Sequence, residues 1–120
     1  MASISEALEE CLKLEGATAA ALVDWKSGMC LGTAGGERID LEVAAAGNTE
    51  VVRAKMRVMA NLKLADKIED ILITLGKEYH LIRLVEVDPN LFLYLILRRD
   101  VGNLALARRK LSTVEKDMKI

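Results

Sequence analysis

The feature of this sequence that most constrains its fold is an uninterrupted apolar run. Residues 91–97 read LFLYLIL, and Arg98 and Arg99 follow at once. A strand with one face in water alternates polar and apolar residues, and this run does not. The run therefore predicts a central strand with both faces covered, because at a sheet edge it would expose a long apolar ribbon.

The segments around this run predict the element order α-β-β-α-β-β-β-α. Ser3 and Glu6 have the spacing of a capping box, and Asp40 stands where the N-cap of a long helix is expected. Gly28 supplies the positive φ that a short hairpin loop at residues 26–28 requires. Helices are predicted at residues 4–12, at 41–62 and from about 103, and strands at 17–25, 29–34, 67–75, 78–87 and 91–97.

This order predicts the fold class. Short turns between consecutive strands favour a mainly antiparallel sheet, and helices before, between and after the strands are placed to cover both faces. The predicted architecture is a three-layer α/β/α domain of the α+β type around a central five-stranded sheet. A chain of 120 residues predicts one domain, spanning residues 1–120.

The composition narrows the class of protein. A net charge of −1 argues against a dedicated nucleic-acid binder. The longest apolar run is far shorter than the ~18 residues that a membrane span needs, and early glutamates interrupt any signal peptide. Two cysteines, Cys11 and Cys30, are typical of a reduced, soluble cytoplasmic protein. The hydrophobic fraction of 52% is high for so short a chain, which indicates that some apolar surface is buried against another chain.

The long second helix has an unusually wide apolar arc. Because two stripes lie side by side, we expect this helix to contact both the sheet and a second helix. Gly47 costs about 1 kcal/mol relative to Ala inside a helix, so we expect a packing reason for it. One stripe contains Ala44, Gly47, Val51, Ala54 and Val58, and the other contains Ala45, Val52, Met56 and Met59.

The strand at residues 67–75 is predicted to be a sheet edge that pairs with its own copy. Antiparallel pairing across a two-fold axis would give a closed contact and one continuous sheet. Glu69 and Asp70 are adjacent in this strand, so they point to opposite faces and cannot act as an acid–base pair. They either fix the register of the edge and deter wrong pairing, or are simply solvated.

No catalytic, cofactor or metal site is predicted. The glycine-rich residues 32–37 lack the Gly-Lys-Ser/Thr ending of a phosphate loop, and we interpret them as a mobile loop before the helix. His80, Cys11 and Cys30 are too widely spaced for a typical zinc site, and His80 is expected to pack and make one hydrogen bond. The C-terminal residues 112–120 are interpreted as a fraying helix.

Three segments, taken in order, resemble the roadblock/dynein-light-chain domain family. They are AAALVDWKSGMCLGTAG at residues 19–35, IEDILITLGKEYHLIRLV at 68–85 and GNLALARRKL at 102–111. The resemblance covers nearly the whole chain and is greatest to bacterial and archaeal single-domain members. It implies a profilin-like roadblock fold and a homodimer joined through the third strand and the long helix.

The resemblance also implies a function. It implies a non-enzymatic scaffold or regulator whose partner is a small Ras-like GTPase, with a possible GTPase-activating or localisation role. Trp25 replaces a polar residue of relatives, and either anchors a partner or covers the sheet. The dimer interface is predicted at Val51, Ala54, Lys55, Val58, Leu62, Ile68, Asp70, Ile71, Leu72 and Ile73, and partner binding at Glu50, Arg53 and Arg57.

Two other functions stay open from the sequence. The chain is alternatively a module that senses a small molecule, which needs an internal cavity with a few polar groups, or a purely structural interaction module. An enzyme is disfavoured because no convergent set of catalytic residues is found.

Overall fold

The computed structural model describes residues 2–119, which form three helices and five strands in the predicted order. The order α-β-β-α-β-β-β-α is therefore confirmed. The elements are α1 (Ile4–Cys11), β1 (Ala17–Asp24), β2 (Met29–Gly35), α2 (Leu41–Asn61), β3 (Asp70–Thr74), β4 (Glu78–Leu84), β5 (Leu91–Arg98) and α3 (Leu104–Asp117).

All five strands form one antiparallel sheet in the order β2-β1-β5-β4-β3. The apolar run at residues 91–97 lies in β5, the central strand, and all seven of its side chains are buried. Burying them contributes roughly 10–20 kcal/mol before the entropy of folding is counted. The central position predicted for this run is confirmed.

Helices cover the two faces of the sheet, as predicted. On one face α1 and α3 pack on a core that includes Leu8, Leu22, Leu95 and Leu111. On the other face α2 packs on a second core built around Phe92 and its neighbours. Side chains alternate along each strand, so one strand supplies both cores and the sheet forms the middle of three layers.

Local signals fix the ends of the elements. Ser3 and Glu6 form the reciprocal capping box, and Asp40 caps α2 by accepting hydrogen bonds from the first turn. Gly28 has a φ of +79° in the first hairpin, where Asp24 accepts the backbone N–H groups of Lys26 and Ser27. These local contacts set where the first two helices begin and where the first hairpin turns, as the sequence indicates.

Several expectations were wrong in detail. Residues 32–35 of the glycine-rich stretch belong to β2, so the strand predicted at residues 29–34 is confirmed and the mobile-loop interpretation of these residues is wrong. The strand predicted at residues 78–87 ends at Leu84. The strand predicted from residue 67 begins only at Asp70. The predicted C-terminal fraying does not occur over residues 112–119, because α3 continues to Asp117 and buried Glu115 accepts hydrogen bonds from Arg83. Ile120 lies outside the described residues.

Candidate interaction surface

The strand β3 forms an open edge of the sheet. It pairs with β4 over five successive residues without a bulge, and its outer side faces no strand of this chain among residues 2–119. The N–H of Leu75 donates to Glu78 and the N–H of Leu84 donates to Glu69. Antiparallel pairing alternates, so the N–H and C=O groups of Asp70, Leu72 and Thr74 point to the open side.

The opposite edge, β2, is less suited to pairing with another strand. The register between β1 and β2 shifts between Leu22 and Val23, and such an irregularity twists an edge away from a flat pairing geometry. Gly32 and Gly35 also lie in β2 and weaken its extended structure. Of the two edges, β3 is therefore the one that presents a regular template for a sixth strand.

The helix α2 does not cover the part of the sheet that lies next to β3. It packs mainly over β1 and β2, and on that side Arg53 donates to the carbonyl of Lys26 in the first hairpin at 2.6 Å. Ile71 and Ile73 of β3 face the same side of the sheet as α2 and remain only partly buried. An apolar floor thus lies between α2 and the open edge.

An apolar stripe on α2 borders this floor. We call it the α2 stripe; it consists of six positions spaced three or four residues apart. The buried residues of α2 face the sheet and Arg53 lies on the β2 flank, so the stripe covers the outward arc of the helix and extends to the flank nearer β3. Its large members are exposed by 37% to 66% of their surface. The members are Val43, Gly47, Val51, Ala54, Val58 and Leu62.

The structure brings most of the predicted interface residues together at this place. Val51, Ala54, Val58 and Leu62 lie in the α2 stripe, Lys55 is exposed on the helix, and Ile68, Ile71 and Ile73 are half-buried next to the open edge. Asp70 and Leu72 contribute only backbone groups to this surface, because their side chains point to the other face of the sheet. Leu72 packs with the α1–α3 core, and Asp70 accepts both hydrogen bonds of Arg108 on α3.

Asp70 therefore differs from the sequence interpretation. Its carboxylate is not simply solvated, since Arg108 binds it through two nitrogens at 3.0 and 3.2 Å. This pair ties the edge strand to α3. Glu69, by contrast, is exposed.

Of the predicted partner-binding residues, Glu50 and Arg57 lie on the side of α2 that faces away from the sheet, and Arg53 lies on the flank towards β2. Glu50 and Arg57 are exposed, whereas Arg53 is half-buried and bridges Glu50 to the first hairpin. Arg53 thus has an internal role that its exposed helix pattern did not reveal. Glu50 and Arg57 are the charged groups next to the α2 stripe on its solvent side.

Two members of the stripe were misjudged from the sequence. Val43 belongs to it and was missed, while Ala44 packs towards the sheet. The expected packing reason for Gly47 is absent within residues 2–119, since a Cβ at Gly47 would meet nothing within 4 Å. Counting positions from the buried residues Leu41, Ala45, Thr49 and Val52 would have assigned Val43 to the exposed flank.

His80 forms a polar chain beneath α2. Its Nε2 lies 2.8 Å from Glu78 and its Nδ1 lies 2.9 Å from the Tyr94 hydroxyl, so it makes two hydrogen bonds where one was expected. A carboxylate only accepts, so Nε2 donates to Glu78; in the tautomer with its proton on Nε2, Nδ1 accepts from the Tyr94 hydroxyl. Burial raises the pKa of Tyr94, and Asn48 of α2 partly offsets that increase. This chain joins β4, β5 and α2 behind the floor of the surface.

The contacts of Trp25 favour the interpretation that it covers the sheet over the interpretation that it anchors a partner. Its indole N–H donates to the carbonyl of Pro89 at 2.7 Å, and its ring packs against the α2-side core. The residue therefore joins the first hairpin to the β4–β5 turn.

The residues considered for metal binding or catalysis, Cys11, Cys30 and His80, do not come together at one site. Cys11 lies in the α1–α3 core, while Cys30 and His80 lie on the α2 side of the sheet. Burial raises the pKa of the Cys11 thiol to about 11 and also raises that of Cys30, which disfavours the nucleophilic thiolate. Over residues 2–119 no group of three potential metal ligands is found, and no helix has the length and apolarity to cross a membrane.

Known structures with this architecture identify the fold. The chain is similar to the roadblock/LC7 domain from Streptomyces avermitilis, with a TM-score of 0.83 and 10% identity over 97% of this chain and 94% of that one. The chain has the roadblock fold. The sequence matches no known family model and no curated protein.

Proteins named MglB share the roadblock fold with this chain. Myxococcus xanthus MglB has a TM-score of 0.81 and 21% identity, covering 95% of this chain and 89% of that one. The gliding protein MglB from Thermus thermophilus has a TM-score of 0.69 and 19% identity, covering 93% of this chain and 87% of that one. At identities this low, the structural similarity establishes the shared roadblock fold alone.

Proposed function

We propose that this chain is a non-enzymatic, homodimeric scaffold or regulator of a small Ras-like GTPase in the cytoplasm. The observation that carries the dimer is the open β3 edge lying beside the exposed α2 stripe. An unpaired edge and an adjacent apolar groove are costly to leave in water, and one partner would cover both. A second copy fits because it presents the same edge and the same stripe.

The edge indicates how two copies would pair. Three residues, Asp70, Leu72 and Thr74, point their backbone groups outward. An antiparallel pair centred on Leu72 is the arrangement that uses all of them, with Asp70 opposite Thr74 of the second copy. The two sheets would then become one sheet of ten strands, and the two α2 helices would lie side by side over Ile71 and Ile73.

The GTPase is proposed from similarity rather than from a pocket. The sequence resembles a family whose bacterial members typically bind small Ras-like GTPases, and structures named MglB share the fold. The paired helices would present Glu50 and Arg57 on the side away from the sheet. We assign the GTPase to that two-fold helical surface, where its nucleotide state would change its affinity for the dimer.

A small-molecule sensor is less well supported. A cavity of about 220 Å³ lies between the end of α2 and the β4–β5 turn, lined by Met56, Ile68, Leu84, Pro89 and neighbouring residues. Ligand pockets usually enclose about 300–1,000 Å³ and are mostly apolar. Two larger clefts, of about 620 and 530 Å³, are lined mainly by polar and small residues. The alanine-rich β1 and the buried β5 fill the interior instead.

The GTPase proposal is tested by affinity capture from a lysate of the source cells. Immobilised protein is incubated with a non-hydrolysable GTP analogue or with GDP, and bound proteins are identified by mass spectrometry. We expect a Ras-like GTPase that is enriched in one nucleotide state and lost with the double variant Glu50→Arg/Arg57→Glu, which reverses both exposed partner-binding charges while keeping one charge of each sign on the helix. The matched control is Lys119→Glu, a charge reversal far from α2, which should capture the GTPase normally. Captures that contain no GTPase in either state would contradict the proposal.

A further inference from the structure

The spacing of the α2 stripe is the same from either end. Its members follow at intervals of four, four, three, four and four residues from Val43 to Leu62. A two-fold axis perpendicular to a helix reverses its direction, so a stripe of this kind matches itself when two copies lie antiparallel. The midpoint falls between Val51 and Ala54.

In its two inner pairings this register matches a large side chain with a small one, while at the ends Val43 would lie opposite Leu62. Val51 of one copy would lie opposite Ala54 of the other, and Gly47 would lie opposite Val58. The open space above Gly47 in the single chain is then the space that Val58 of the second copy occupies. Close packing of two helices favours such complementary volumes.

Glu50 and Arg57 flank the stripe on the side away from the sheet. They are seven residues apart and therefore lie on one line along the helix. In the antiparallel register, Glu50 of one copy comes within two residues, about 3 Å along the axis, of Arg57 of the other. The two-fold axis generates this opposite-charge pair twice.

The single chain leaves both groups able to make these contacts. The Glu50 side chain is 68% exposed, and Arg53 holds its Oε1 at 2.9 Å. Among residues 2–119, no donor is found on Oε2, so that oxygen is open to a second cation.

We propose that reciprocal Glu50–Arg57 pairs make the α2 contact selective for a second copy of this chain. The inference rests on the proposed homodimer and adds its register and its selectivity. Exposed ion pairs add little affinity, but like charges placed opposite each other disfavour a wrong partner. A chain that shares the fold but lacks this pattern would pair poorly with this one.

Charge reversal tests the proposal. We expect Glu50→Arg alone and Arg57→Glu alone each to weaken the homodimer roughly tenfold, because each creates two like-charge contacts. An equimolar mixture of the two variants should recover dimers that contain one chain of each. The double variant, with both changes in one chain, should recover the homodimer. Analytical ultracentrifugation and native mass spectrometry of the mixtures measure both results.

The outcomes separate this inference from the proposed function. Glu42→Arg, on the β2 flank of the same helix, is the matched control and should leave dimerisation unchanged. Circular dichroism verifies that each variant is folded. Single variants that dimerise like the parent, or a mixture that dimerises no better than either variant alone, would overturn the ion pairs while the dimer stands. A parent chain that is itself monomeric would overturn the dimer and the inference together.

Discussion

Tyr94 packs its ring in the apolar core and makes a hydrogen bond with its hydroxyl. Its ring lies in the α2-side core with almost no exposure, and its hydroxyl bonds His80. The sequence placed Tyr94 on a buried strand, but it carried no signal for the hydroxyl's partner. That partner depends on the register between β4 and β5, which aligns His80 with Ile96 and brings its ring across to Tyr94.

Removing this hydroxyl should destabilise the fold. Tyr94→Phe would leave Nδ1 of His80 without its donor in a buried place, which costs roughly 1–3 kcal/mol. Urea unfolding at one protein concentration measures the change. Tyr79→Phe is the matched control, because the ring face of Tyr79 rather than its hydroxyl meets Arg99, at 5.4 Å. Equal stability of the Tyr94→Phe and parent proteins would contradict this role.

Glu10 should contribute to the pH dependence of the protein's stability. Hydrogen bonds from Lys110 and then Lys13 lower the pKa of Glu10 from 4.5 to about 2. A carboxyl with a lowered pKa stabilises the folded state above its unfolded pKa, and this contribution is lost as the pH falls towards the folded value. The relevant window is therefore pH 4.5 down to about 2.

Thermal melts across that window test the assignment. Glu10→Gln should flatten the dependence of the melting temperature on pH, because glutamine does not titrate. Lys110→Met should flatten it partly, since Lys110 is the larger cause of the shift. A Glu10→Gln variant with the same slope as the parent would show that other groups produce the acid sensitivity.

The elements were more predictable than their contacts. The apolar run in β5, the capping box of α1 and the N-cap Asp40 are local signals, so the order and the central strand were predicted correctly. The beginning of β3 was not, because strand pairing with β4, and not the composition of residues 67–69, decides where the strand starts. Likewise, the contact of Arg53 with the first hairpin spans 27 residues and has no local signature.

The end of α2 contains a backbone conformation that the sequence did not indicate. Lys63 has a φ of +57°, and the N–H of Leu64 donates to the carbonyl of Met59. This left-handed residue closes the helix in the position that glycine usually occupies. A side chain there costs about 1 kcal/mol or more.

Replacing that lysine with glycine should therefore stabilise the protein. We expect Lys63→Gly to raise the free energy of unfolding by about 1 kcal/mol, less a few tenths for the lost cation at the helix C-terminus. Lys67→Gly, which changes a nearby lysine without a positive φ, should instead be neutral or destabilising. Chemical denaturation of both variants at one protein concentration gives the comparison, and a less stable Lys63→Gly protein would contradict the assignment.

At the scale of the whole molecule, the sheet has one regular open edge, at β3. The helix α2 packs over β1 and β2 and leaves the same face of β3 uncovered. The sequence indicated the second surface of α2 because its apolar arc was too wide for one contact. It did not show which flank faces β3, since that depends on how α2 crosses the sheet. In the homodimer that we propose, a second chain would cover this apolar surface, which would account for the excess of apolar residues.

The most direct test of this account is the molar mass of the purified protein in solution, measured by light scattering coupled to size-exclusion chromatography. We expect twice the mass of the chain, 26.4 kDa from two chains of 13.2 kDa each. Val58→Glu, which places a charge in the α2 stripe, should give the monomer, while Ala46→Glu on the other side of the helix should remain a dimer. A parent protein that elutes at 13.2 kDa across the micromolar range would contradict the account.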